Sequence, residues 1–172
     1  PTVALSVYRE SARFENRQGQ ISDAEHKFQR ALQIAQQEDW TFLQVDLRID
    51  MIEFYVAGNE IRRASEQLIL LDGAPLSEVQ RIRLLGVHAR IAQSEGEYSK
   101  AVGLFLEGRK IAGSVYKWGL ATDLTLLAAE TLLMAEQFDD AKNVLLQIQE
   151  EAEVHDRTEP WQQLFQQTSS CK

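Results

Sequence analysis

A single cysteine, Cys171, stands near the end of the 172-residue chain, so neither an internal disulfide nor a cysteine-rich zinc cage is available. No stretch approaches the roughly 18 consecutive apolar residues that a membrane span requires. The opening Pro-Thr-Val-Ala-Leu lacks the basic flank of a signal peptide and reads as an internal cut from a longer protein. With neither segment present, the expected location is the cytoplasm, away from membranes. Basic residues are also scarce: 18 Lys plus Arg against 26 Asp plus Glu give a net charge of −8 and a pI near 4.9. That balance argues against a nucleic-acid binder, which needs a basic face for phosphates. Glycine and proline are few, nine and three, and leave long stretches free to be helical. The remaining composition, 44 % hydrophobic and 26 % charged, is that of an ordinary globular chain long enough to bury a core.

What is present is helical period. Ala24, Phe28, Ala31, Leu32 and Ala35 fall on one helical stripe, and alternating Val, Ile and Thr of the kind that marks strands is missing. The expected class is all-α. Laid against itself, the chain repeats a skeleton: a large apolar residue, Ala three later, then Phe or Leu four after that. It occurs as Ile21, Ala24, Phe28; as Ile61, Ala64, Leu68; as Tyr98, Ala101, Phe105; and as Phe138, Ala141, Leu145. The alanines are 40, 37 and 40 residues apart, a period that marks helical repeats. Each alanine is expected where the second helix of a hairpin crosses the first, because only a small side chain lets the backbones approach. First helices are expected over Leu5 to Gln18, Phe42 to Val56, Ile82 to Ala92 and Leu120 to Met134. The units then cover residues 5–37, 39–72, 77–113 and 116–154 of a single domain spanning 1–172.

Ser22 with Glu25 and Ser77 with Gln80 fit the capping box, and Ser99 and Asp139 stand where they would cap the other second helices. Asp72-Gly73-Ala74-Pro75 marks the clearest break. Glu159-Pro160 starts a final helix over 159–169, in which Trp161, Leu164 and Phe165 share one face. That face either covers the exposed end of unit four or docks onto another domain or a second copy, as a homodimer.

These residues resemble the tetratricopeptide (TPR) repeat, whose motif ends Gly-x-Tyr-x-x-Ala-x-x-x-Phe-x-x-Ala-Leu. Unit one matches through Gly19, Ile21, Ala24, Phe28, Ala31 and Leu32, and unit three through Gly96, Tyr98, Ala101 and Phe105. Units two and four have Asn59 and Glu136 where Gly is usual. The period of 37 to 40 exceeds the usual 34 or so and is similar to the longer TPR-like arrays of bacterial signalling regulators. The resemblance implies a right-handed α-solenoid of about four helix-turn-helix repeats plus a C-terminal capping helix. It also implies a concave groove, lined by first helices, that docks a protein or peptide partner. Carried onto this chain, the groove positions are Arg9, Arg13, Asn16 and Arg17 in unit one and Asp46, Ile49, Glu53 and Val56 in unit two. Units three and four supply Arg83, Arg90 and Gln93, then Asp123, Leu126, Glu130 and Leu133. The runner-up reading is the effector-sensing region of a bacterial transcription regulator or signalling kinase, with a small molecule or peptide in the groove.

Arg9, Arg13 and Arg17, spaced by four, form a ridge suited to acidic peptides. The plainer alternative pairs Arg13 with Glu53, and Arg90 with Glu53 or Glu130, as bridges between units. A clamp for a C-terminal carboxylate is not supported, since Arg9, Arg13 and Asp50 stand where that clamp uses Lys and Asn. His26, His88 and His155 form no metal-ligand pattern, and His88 reads as a packing residue. With no glycine-rich phosphate loop and no nucleophile elbow, the expectation is a non-enzymatic chain without metal or cofactor.

Overall fold

The computed structural model describes residues 2–17 and 21–169, with the side chains of residues 2, 15–17 and 21 outside the description. The described residues are all-helical, with ten helices and no strand. They divide into two compact units, 1–76 and 77–172.

The first unit holds α1 (Thr2–Arg17), α2 (Ile21–Gln37), α3 (Thr41–Ala57) and α4 (Ile61–Ile69), each packed against the next. The second holds α5 (Glu78–Ser94), α6 (Tyr98–Ser114), α7 (Trp118–Met134), α8 (Phe138–Leu146), α9 (Gln149–Val154) and α10 (Thr158–Ser169). Successive helices α5 to α8 again pack in order, and α10 returns onto α7 and α8. No described helix is long and apolar enough to cross a membrane.

One device joins helix to helix. Asp39, Asn59, Gly96, Tyr116, Glu136 and Asp156 all take φ between 53° and 77°. At each, the left-handed residue donates to the carbonyl three positions back, and the next residue donates to the carbonyl five back. Asn59 N–H to Val56 O is 3.0 Å and Glu60 N–H to Tyr55 O is 2.8 Å; Gly96 to Gln93 and Glu97 to Ala92 are 3.0 and 2.8 Å. These are Schellman ends, which satisfy carbonyls that a helix terminus leaves orphaned. Two residues after each left-handed position the next helix begins. The joints at 39 and 59, and at 96, 116, 136 and 156, stand 20 residues apart, and the single step of 37 spans the boundary between the units. Asn59, Gly96 and Glu136 occupy the glycine place of the repeated motif, and a left-handed backbone is why glycine suits it.

The joints correct three capping expectations. Because the second helices begin at Ile61, Tyr98 and Phe138, their N-caps are Glu60, Glu97 and Gln137, none with a side-chain cap bond. Ser99 and Asp139 lie inside the first turn, and Ser22 likewise follows the first residue of α2. Asp139 and Asp140 still favour the positive helix end. At Ser77 the capping box forms, with Gln80 N–H to Ser77 Oγ at 3.3 Å and Ser77 N–H to Gln80 Oε1 at 2.9 Å. No helix runs between Ile69 and Glu78, and Gly73 takes a φ of 72° there.

All four skeleton alanines, Ala24, Ala64, Ala101 and Ala141, have no exposed surface. The amide N–H groups of Ala64, Ala101 and Ala141 donate to the N-cap carbonyls of Glu60, Glu97 and Gln137 at 3.0 to 3.1 Å. Phe28, Phe105 and Leu145 are buried beside them, while Leu68 is half-buried because α4 ends one residue later. In the second unit Ala101, Phe105, Ala112, Ala121, Leu124 and Ala128 form one core. Trp161, Leu164 and Phe165 of α10 pack on Leu126, Ala129, Leu145 and Ile148, with the indole N–H on Leu145 O at 2.8 Å. α7 buries three threonines, whose hydroxyls bond back to carbonyls one turn earlier and so enter the core satisfied.

Candidate partner-binding surface

Arg9 and Arg13 of α1 point at α3. Arg9 Nε lies 2.5 Å from Asp50 Oδ2, and Arg13 Nη2 lies 2.8 Å from Asp50 Oδ1. Arg9 also reaches Asp46 at 3.6 Å, and Arg13 reaches Glu10 at 3.1 Å. The Asp50 side chain is only 2 % exposed, against 18 % for Arg9 and 38 % for Arg13. A carboxylate withdrawn this far from water needs cationic donors beside it, which the α1 ridge supplies. Arg13 meets Asp50, about one helical turn before Glu53, the partner that register predicts, on the face of α3 turned to α1. Asn16 and Arg17 lie outside the described side chains.

The same motif of bonding recurs between helices one hairpin apart. Glu25 of α2 accepts from Tyr55 Oη at 3.0 Å and from Arg63 of α4, whose guanidinium also lies 4.4 Å over the Tyr55 ring. Burial, then the nearby Glu60 and Glu66, push the Tyr55 phenol above its ordinary range. Gln93 of α5 donates to Thr131 of α7 at 2.7 Å. Arg109 of α6 clasps Glu151 of α9 through two bonds of 3.0 Å and also reaches Thr125 at 2.7 Å. Arg157, at the start of α10, holds Asp123 of α7. The Gln93–Thr131 pair and the arginine–acid pairs that join α1 to α3, α2 to α4, α6 to α9 and α7 to Arg157 are separated by 34 to 42 residues, about one period. That spacing is the sequence signal that would have found them: an arginine and an acid one period apart.

Ile49, expected to line the groove, is instead buried in the core. Glu53, Arg90 and Glu130 are exposed and Arg83 is half-buried. Arg90 and Glu130 form no ion pair with each other among the described residues. Asp123, Leu126 and Glu130, expected to line an open groove, share a recess of about 410 Å³ with Arg157, Pro160, Gln163 and Leu164 of α10. The final helix packs beside α7, and Leu126 is buried in the cluster they share. Trp40, Thr41, Phe42 and Leu43 line a second, apolar recess of about 480 Å³ at the start of α3. His88 is exposed rather than packed; partial burial, and then the positive charge of Lys100, hold its imidazole below the ordinary value.

Chemically, these surfaces offer exposed charges of both signs flanked by partly covered apolar side chains, and the described residues gather no trio of His, Cys, Asp or Glu. No family model, curated protein or solved structure matches the chain.

Proposed function

We propose that the chain is a right-handed stack of TPR-like hairpins, a non-catalytic module that holds a protein or peptide partner on its first-helix surfaces. The observation that carries this reading is recurrence: a fully buried alanine at each of the four expected crossings, with left-handed joints in register before three of them. Repeated hairpins expose long faces that suit extended partners. On this reading the arginine ridge is an internal tie, since Arg9 and Arg13 are turned to Asp46 and Asp50. Partner contacts then rest on Arg90 of α5 and Glu130 of α7.

Peptides selected from a display library against the whole chain test it. Arg90→Glu combined with Glu130→Arg is expected to weaken the selected peptides at least tenfold without moving the melting temperature. Unchanged binding, or failure to select any peptide, contradicts it. The recess between α7 and α10 favours a second reading, an effector site with an apolar floor and polar ends. A metabolite that raises the melting temperature, and no longer does so in Glu130→Arg, would replace the first reading by the second.

A further inference from the structure

Asp123, Leu126 and Glu130 follow one another on α7 at spacings of three and four, so they share one side of that helix. Arg157, Gln163 and Leu164 face them from α10 across the recess of about 410 Å³. That volume is at the low end for ligand sites and suits one or two side chains rather than a large cofactor. The floor is apolar, with Leu126 buried and Leu164 half-buried. Two carboxylates, Asp123 and Glu130, stand against one guanidinium, Arg157, which gives the recess a net charge of −1. The guanidinium is already committed. It donates to both Asp123 oxygens, one of these bonds being 3.1 Å, and to His155 O at 2.9 Å. Glu130, by contrast, is exposed and has no cation beside it among the described residues. Gln163 Nε2 donates to Glu159 at 3.3 Å, and its Oε1 is a further acceptor on the rim. One acid is thus neutralised within the fold and the other is not. An anion meets repulsion in such a recess, whereas a cation on an aliphatic stem finds both an unbalanced carboxylate and an apolar floor.

We infer that the recess between α7 and α10 takes an apolar side chain and an adjacent lysine or arginine of a peptide partner. The apolar group lies on Leu126 and Leu164, and the cation meets Glu130. This rests on the reading of the chain as a peptide-binding module and adds the chemistry of the partner to it. Two observations favour a peptide over a free amine. Glu130 is exposed, so a side chain seated beside it leaves its backbone outside the recess, free to continue along the surface. The chain's net charge of −8 also draws in a basic segment more strongly than a single cation.

Methyl NMR of the whole chain provides the test, with three probes: acetyl-Leu-Lys-amide, acetyl-Leu-Glu-amide and the free amine isoamylamine. The lysine dipeptide is expected to shift the Leu126 and Leu164 methyl signals in the millimolar range. The glutamate dipeptide should bind at least about threefold more weakly, the scale of one exposed charge contact. Glu130→Gln is expected to abolish that preference and Glu130→Lys to reverse it. Because Glu130 is exposed, neither variant should move the melting temperature. No shift at either leucine, or a preference unchanged in Glu130→Gln, overturns the inference. Tighter binding of isoamylamine than of the lysine dipeptide assigns the recess to small amines and overturns it equally. Failure of the library selection strikes the module reading instead, since the free dipeptides report on the recess whether or not a peptide is selected.

Discussion

Replacing Phe28 by alanine is expected to lower the free energy of unfolding by about 3–5 kcal/mol. Phe28 is 2 % exposed, stands one turn after the crossing alanine Ala24, and meets the Phe54 ring with centroids 5.7 Å apart at 55°. Truncation removes buried apolar surface and also leaves a cavity between two helices that Schellman joints hold at fixed ends, so little collapse can refill it. A change of this size is a large share of the stability of a small domain. Urea unfolding followed by far-ultraviolet circular dichroism measures it, and a loss below about 1 kcal/mol would show that Phe28 is not a core residue.

The second large effect concerns charge. Arg9→Met with Arg13→Met is expected to cost about 3 kcal/mol, since it takes both guanidinium groups from a carboxylate almost closed to water. An ordinary surface pair would cost under about 1 kcal/mol, so the magnitude decides between an internal tie and a solvated ridge. The two arginines keep partial access to water, which places the estimate at the low end for breaking a buried pair. Adding Asp50→Leu should recover most of the loss, because an apolar side chain needs no counter-charge. A double variant that melts like the parent, or a triple variant no better than the double, contradicts the tie.

How far the sequence reached can be read from these two sites. Ala24, Ala64, Ala101 and Ala141 were legible because a crossing admits only small side chains, and the constraint recurs at every hairpin. The final helix was legible too, since Trp161, Leu164 and Phe165 share one face. The joints were not: a left-handed residue can be Tyr116 or Glu136 as well as Gly96, and the bonds that define the turn are backbone bonds that leave no side-chain signature. The second helix of unit four gave no warning of its break at Gln147 and Ile148, where neither Gly nor Pro occurs.

The site was harder still. Glu53 and Asp50 differ by less than one turn of α3, yet Glu53 is exposed and Asp50 is buried against Arg9 and Arg13. Which of them is buried against α1 depends on the rotation of one helix against its neighbour, a tertiary quantity that periodicity within a single helix does not contain. Groove positions carried over from a resemblance inherit the same uncertainty of about 100° per residue. Leu126 shows the consequence: placed in the groove by register, it is buried under α10.

Unfolding free energies of four variants, Ala24→Leu, Ala64→Leu, Ala101→Leu and Ala141→Leu, test the repeated crossing most directly, with Ser22→Leu and Ser99→Leu as controls outside the core in the same helical turns. Each alanine variant is expected to lose roughly 1–3 kcal/mol through overpacking, while the serine variants stay within about 0.5 kcal/mol of the parent. Alanine variants as stable as the parent would contradict the account, because a leucine would then fit where two backbones are held in contact.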